Sequence, residues 1–456
     1  MMDITGLSLR DVAARLRDGR LSARELAEAA LSSMRLGAYV QTEPGLTRDR
    51  ANAADAAFRA RRDLGPLQGV PVSMKDLFGV PGFLTRAGTP SPLPERFERP
   101  GPVVAEVLRQ HAVITGKTHT VELAFGGIGT NPHYPTPVNP WDAAERRAPG
   151  GSSSGAGASL CEGSALLALG TDTAGSVRIP ASWTGNAALK TTKGRWSTEG
   201  IVPLSPTLDT PGIMARTVED LCLAYEALDP DGTGIAELPD LPDLTIGRCD
   251  DLFFDDCSPG VAEAVESALS ELASAGARMV SIDLPELRPT FELFKAGGPV
   301  SVELCHFLSR ELPDRLETLD PNVRSRIGDS VRITALEYLD RMKALSDRAA
   351  SAAGRLGGTV VLACPTVANT PPRLADVSTP ETYRAQNVLC LRNTAMVSYL
   401  GFCAVTLPVG LDAAGMPVGL QLVARGRHEP RLLAAARRVE LRLGKVLPRQ
   451  RAERLV

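Results

Sequence analysis

Aromatic residues are scarce in this chain: 11 Phe, 6 Tyr and 3 Trp make up 4% of 456 residues, while Ala, Gly and Leu abound. The core is therefore expected to be aliphatic and packed closely around small side chains. An excess of one charge is also lacking. With 50 Lys and Arg against 53 Asp and Glu, the formal net charge is -3. The basic residues are interspersed with acidic ones, so no stripe suggests nucleic acid and no cluster suggests a lipid surface. Long hydrophobic runs are missing. The longest low-charge stretch, residues 163–176, is broken by Asp172 and is too short and polar to span a bilayer. Residues 1–20 alternate charged and apolar side chains and lack the apolar segment of a secretory signal. A soluble cytoplasmic protein is the expectation.

Metal and disulfide patterns are lacking as well. The 8 cysteines form no Cys-x-x-Cys pair, and none has a histidine at zinc-finger spacing. They read as scattered reduced thiols, mostly small core residues. No G-x-x-x-x-G-K-[ST] phosphate loop and no H-E-x-x-H helix occurs. No metal and no organic cofactor is expected.

What is present reads as an α/β protein. Residues 8–36 are helical in pattern, with Ser8 as a cap and Ser22 with Glu25 as a capping box before a second apolar-periodic run. Residues 47–62 read as a further Ala/Arg-rich helix. From Leu67 a strand, a helix and a strand follow one another (GVPVSM, VVAEVLRQHA, AVITGKT). A Gly/Pro/Asn-rich loop covers 126–149. The Ser/Gly/Ala tract GGSSSGAGASLCEG is flanked closely by apolar segments, so it reads as a packed loop instead of a linker. SALLALGTDTAGS is a buried strand running into a turn. Residues 225–245 form a surface connection, TIGR restarts a strand, and GVAEAVESALSELASAGA is a helix. Residues 285–355 alternate helices with turns. Two strands joined by a turn and a final helix close the chain. The expected architecture is one large domain over 1–456, a mixed β-sheet covered by helices on both faces. Its parts are a helical layer at 8–62, a core at 67–220, a variable helical region at 225–360, and strands and a helix completing the core at 358–445.

Three features carry chemistry. Lys75 ends the apolar strand GVPVSM, where its amine can face a cleft, although a lysine at a strand end is ordinarily a surface residue. Gly150-Gly151-Ser152-Ser153-Ser154-Gly155 offers three hydroxyls without bulk. Gly170-Thr171-Asp172-Thr173-Ala174-Gly175-Ser176 has the small residues that let successive N–H groups converge on an anion. Asp172 and Arg178 are placed to brace this turn as an ion pair. The second feature also fits G-x-S-x-G, the nucleophile elbow of α/β-hydrolases, with Ser153 as nucleophile. That elbow requires a strand immediately before it, which AERRAPGG is not, and downstream it finds only His306 and His428.

In order, spacing and flanks, the three features resemble the amidase signature family. VSMKD, the GKTH strand end, Asn139-Pro140-Trp141, the GGSS tract and GTDTAGSVRIP follow one another as they do in that family, and Ser152 and Ser176 stand 24 residues apart. The departures are His119 for Asn, Ser154 for Gly and Ala174 for Gly. The dense likeness covers 67–220, with a second patch near 406–422. Residues 225–360 match little.

The resemblance implies that Ser176 is the nucleophile, Ser152 a bridging serine preceded by a cis peptide, and Lys75 the base. Thr173, Ala174 and Gly175, with Ser176, are implied to offer N–H groups to the oxyanion. Ala124, Phe125, Gly126 and Gly127 are implied to reach the substrate. The activity implied is hydrolysis of a small-molecule carboxamide through an acyl-enzyme. The sequences GGIGTNPHY and GRWSTEGIVPLS look most like those of arylacetamide- and mandelamide-type hydrolases. Alternatives are a glutaminase-type subunit of an amidotransferase complex and the Ser153 elbow. An idle binding scaffold conflicts with the complete Lys75, Ser152 and Ser176 set. A homodimer is a family-level expectation.

Overall fold

The first two helices start where the sequence supplies caps. Ser8 accepts from the Asp11 N–H ahead of α1 (Leu9–Arg17), and Ser22 forms a reciprocal capping box with Glu25 ahead of α2 (Ala23–Ser32). The protein is described by a computed structural model over residues 3–328, 330–358 and 360–444.

The strands are β1 (Tyr39–Gln41), β2 (Pro71–Lys75), β3 (Val113–Thr118), β4 (Leu167–Asp172), β5 (Ala187–Lys190) and β6 (Thr210–Ala215), then β7 (Thr245–Arg248), β8 (Arg278–Ser281), β9 (Val360–Pro365), β10 (Cys403–Leu411) and β11 (Pro417–Ala424). They form one sheet in the order β1-β3-β2-β4-β6-β5-β10-β11-β9-β7-β8. The neighbours β3, β2 and β4 are parallel, as are β9, β7 and β8; the other pairings are antiparallel. The sheet is therefore mixed, as expected. Its apolar faces are aliphatic, with Val72, Ile114, Leu167, Ile213 and Leu420 fully buried in one cluster. This burial is the main drive for the fold.

Helices pack on the sheet: α3 (Pro44–Arg59), α4 (Pro102–Arg109), α5 (Ser154–Glu162), α6 (Arg178–Thr184), α7 (Val218–Leu228) and α8 (Val261–Ser274). Then come α9 (Leu287–Lys295), α10 (Val300–Glu311), α11 (Pro321–Gly328), α12 (Ala335–Leu356), α13 (Pro380–Tyr399) and α14 (Glu429–Leu443).

Two expectations need correction. The tract read as a packed loop contains α5, buried at every position from Ser154 to Glu162. Its Gly and Ser residues, poor helix formers, permit close packing: a Cβ on Gly155 would collide with the Ala38 carbonyl. The surface connection at 225–245 begins later than expected, because α7 continues to Leu228. Among the described residues, no helix is long and apolar enough to cross a membrane, and no cluster of metal-ligating side chains occurs.

Candidate active site

Parallel pairing brings the carboxyl ends of β2 and β4 to the same edge of the sheet. Lys75 ends the first strand and Asp172 ends the second. Clefts at the carboxyl ends of parallel strands are where such sheets bind ligands. Here the glycine-rich turn before α5 delivers Ser152, and the turn before α6 delivers Ser176. The Ser153 N–H donates to the Ser176 carbonyl (3.1 Å) and ties the two turns together. The Gly151–Ser152 peptide is cis.

The Lys75 Nζ donates to Ser152 Oγ (2.6 Å) and to Thr171 Oγ1 (2.8 Å), and its side chain makes no ion pair with any described carboxylate. The reason lies in strand alternation: successive side chains point to opposite faces. The adjacent carboxylate, Asp76, goes to Lys117 instead (3.1 Å). Lys75 is 0% exposed. Burial pulls its pKa down to about 7 despite the opposing fields of Asp172 and Asp209. A neutral, proton-accepting amine is thus accessible near neutral pH. Thr171 lies within the Gly170–Ser176 feature singled out from sequence, but no role was assigned to its hydroxyl there.

Asp172 organises the turn that holds Ser176. Its carboxylate accepts from the Gly175 N–H (2.7 Å), the Val177 N–H (3.3 Å) and two Arg178 nitrogens (2.9 and 2.8 Å). Both side chains are fully buried. Burial pushes the carboxyl up, but Arg178 outweighs it and holds the group below the usual range. Arg178 is itself satisfied by Gln421 Oε1 (2.6 Å) and Ser398 Oγ (2.7 Å). The expected ion pair is therefore present.

Two of the residues expected at the substrate or oxyanion, Gly175 and Gly127, are placed otherwise. The Gly175 N–H is committed to Asp172 and does not point at substrate. Gly175 has φ +142, and a Cβ there would collide with the Thr394 hydroxyl, so its role is conformational. Gly127 likewise does not line the cavity; its N–H donates to Asn387 Oδ1 (2.7 Å). The N–H groups of Thr173, Ala174 and Ser176 make no hydrogen bond to any described residue. Ala174 is not among the residues with positive φ, so alanine is accommodated where glycine was the pattern.

Ser176, Thr173, Ala174, Ala124, Phe125 and Gly126 line one cavity of about 300 Å³. That volume suits a small molecule. Helix α13, which sequence reading did not identify, closes one side. Its Thr394 hydroxyl donates to the Ala174 carbonyl (2.7 Å), and its Asn387 holds Gly127. Residues 390–399 of α13 are buried all round, so no amphipathic stripe betrays the helix; Thr379 as cap followed by Pro380 is the local signal.

The two departures at His119 and Ser154 meet. His119 Nδ1 lies 2.7 Å from Ser154 Oγ. Burial draws the imidazole down to about 3, so it is neutral. The pair braces the start of α5, directly behind Ser152. Ser153 is fully buried, with its hydroxyl donating to the Thr171 carbonyl (3.4 Å), and no strand leads into it. That geometry does not support the elbow reading.

Comparison with known proteins was made on this basis. A family profile described as Amidase matches residues 23–433. The 2-amino-5-chloromuconic acid deaminase of Comamonas testosteroni is 49% identical, covering 97% of this chain and 97% of the relative. The mandelamide hydrolase of Pseudomonas putida is 32% identical, over 96% of this chain and 92% of the relative. A crystal structure of an amidase superposes with a TM-score of 0.87 at 29% identity, covering 96% of this chain and all of that one.

Proposed function

Since this chain belongs to the amidase family and hydrolyses amide C–N bonds, we propose that it does so through an acyl-enzyme on Ser176, with Ser152 and Lys75 moving the proton. The observation that carries this reading is the Lys75 amine: fully buried, within 2.6 Å of Ser152 Oγ and ion-paired with no described carboxylate.

A serine hydroxyl attacks only when a base takes its proton. In the proposed cycle the Ser176 oxygen attacks the amide carbon, its proton passes to Ser152, and the Ser152 proton passes to neutral Lys75. The carbonyl oxygen becomes an oxyanion facing the N–H groups of Thr173, Ala174 and Ser176. When the C–N bond breaks, the proton returns through Ser152 to the departing nitrogen, and Lys75 is neutral again. Water then attacks the ester carbonyl, with Lys75 and Ser152 accepting its proton and returning one to Ser176. The products are a carboxylic acid and ammonia or an amine. Each such proton transfer is worth about 10²–10⁴-fold, and each oxyanion donor about 10²–10³-fold.

The Comamonas relative is a deaminase and the Pseudomonas relative a mandelamide hydrolase. Both names describe C–N cleavage on small molecules, which the cavity size accommodates. The arylacetamide pointer in the sequence is weaker support than the 49% identity to the deaminase. A cytoplasmic setting fits eight cysteines of which none is in a disulfide. A homodimer is the expected assembly, and light scattering checks it.

The test is ammonia release by the purified chain across a panel of primary amides, with Ser176→Ala as control. Release that falls at least about 10⁴-fold in the control supports the reading. Release that survives in Ser176→Ala sinks it. Activity that appears only with a co-purifying second polypeptide would favour the amidotransferase alternative.

A further inference from the structure

Much of the cavity lining beyond Ser176 comes from helices to which sequence reading assigned no role. Helix α11 contributes Arg326, and α12 and α13 contribute Arg341 and Arg384. Lys295 of α9 lines the same cavity. No Asp or Glu lies among the described residues lining the cavity. In a chain of net charge -3, four cations and no acid among the described residues lining one small cavity make a local field of the opposite sign.

Arg326 is the most constrained of the four. Its guanidinium lies 3.5 Å from the centroid of the Phe125 ring, and one nitrogen donates to the Phe125 carbonyl (2.9 Å). It makes no ion pair with any described carboxylate. Lys295, in contrast, is exposed and paired with Glu292 at 2.8 Å, and Arg341 donates to the Ala296 carbonyl at 3.0 Å. A half-buried guanidinium held over a ring, with one edge anchored and no counter-ion among the described residues, has further N–H groups to offer an anion. The fork matches a carboxylate in geometry as well as in charge. Phe125 belongs to the segment expected to reach substrate, so the same side chain touches the cavity and aligns the arginine.

We propose that Arg326 binds a carboxylate at the far end of the substrate from the scissile bond, so that the enzyme selects short amides whose acyl part carries a second, free carboxylate group. This rests on the acyl-enzyme reading at Ser176 for its chemistry but not for its binding. Hydrolysis of such an amide yields a dicarboxylate and ammonia. The product therefore occupies both ends of the cavity, one carboxylate at Ser176 and one at Arg326.

The experiment separates binding from turnover. Calorimetric titration with succinate and glutarate, and with their neutral diamides, is run in a Ser176→Ala background that does not turn the diamides over, with Arg326 intact, as Arg326→Gln, as Arg326→Lys and as the control Arg324→Gln. Arg324 is exposed on the same helix, and among the described residues its guanidinium bonds only the Leu316 carbonyl. In parallel, kcat and KM are measured for succinamate and glutaramate against butyramide and valeramide. The expected result is tighter binding of the dicarboxylates than of the diamides, and a preference for the anionic amides that falls about 10- to 100-fold in Arg326→Gln. The fall is expected chiefly in KM, with partial recovery in Arg326→Lys and none of these changes in Arg324→Gln. Wild type that prefers neutral amides, or a preference unchanged in Arg326→Gln, overturns the proposal. If no amide of either kind is cleaved but dicarboxylates bind and Arg326→Gln abolishes that binding, the carboxylate site stands and the acyl-enzyme reading falls.

Discussion

The core at 67–220 and the helical region at 225–360 build the same cavity by opposite means. Helices α5 and α6, which carry the two serine turns, are buried at every position. Helix α12 is 22 residues long and buries only Leu345, Ala352 and Leu356. In the core the Lys75 amine is held by two hydrogen bonds to buried hydroxyls, and Asp172 and Arg178, both fully buried, fix the turn that carries Ser176. In the helical region Arg326 and Arg341, at the cavity, are partly exposed and anchored to backbone carbonyls. Proton transfer tolerates little displacement, so its groups sit where packing allows almost none. Substrate selection needs only complementary charge and room, and it can be altered on a partly exposed layer without disturbing the core. The proposed acyl-enzyme chemistry and the proposed carboxylate site thus fall in different regions.

The sharpest test of this contrast is Lys75→Met, which fills the same space without a base. We expect kcat/KM to fall at least about 10³-fold while the protein stays folded, since no buried charge is left unpaired. The pH profile of the wild type should agree. Lys75 accepts a proton only when neutral, and its pKa is pulled down to about 7. The rate should therefore rise with pH through that value and level off above it. A rate that falls over the same range would mean that the protonated amine is the active form.

Asp172→Asn attacks the scaffold of the core instead of its chemistry. Arg178 would remain buried without its counter-charge, at a cost of about 3–5 kcal/mol. Thermal unfolding should show a large loss of Tm, and a change below about 1 kcal/mol would break the claim that this pair organises the turn.

A smaller effect is expected at His119 and Ser154. Each single change, His119→Asn or Ser154→Gly, removes one partner of a buried hydrogen bond. The double-mutant cycle should show a coupling of about 0.5–1.5 kcal/mol. Zero coupling would mean that the two departures from the family pattern are independent. The smallest effect belongs to the outer layer. Leu339 is 60% exposed on α12, and Leu339→Lys should leave stability within about 0.5 kcal/mol. A larger loss would show that the helical region is more tightly built than its burial indicates.

Much of the fold was legible because its signals are local. The caps at Ser8 and Ser22, the alternation of strand and helix from Leu67, and the strand pair near the carboxyl end are read from spacings of a few residues. Helix α5 was missed because its glycines and serines argue against a helix, and only close packing against β2, β3 and β4 makes them useful there. Helix α13 was missed because a helix buried all round has no apolar stripe to detect. Of the candidate site, Lys75, Ser152, Ser176, Asp172 and Arg178 were all singled out from sequence, and the structure brings them together. Gly175 and Gly127 were read as substrate contacts, yet their N–H groups serve Asp172 and Asn387.

What the sequence determined by itself is the candidate set of Lys75, Ser152 and Ser176 and the turns that carry it. These depend on short runs of small residues, a lysine at a strand end, and the order in which they occur. Only the tertiary structure decided what surrounds them. The Thr394 hydroxyl reaches Ala174 across 220 residues, Asn387 reaches Gly127 across 260, and Arg326 reaches Phe125 across 201. No local periodicity encodes such contacts. They exist because burying the faces of one eleven-stranded sheet brings distant helices to a common edge, and the charge of the cavity follows from which side chains that burial leaves pointing inward.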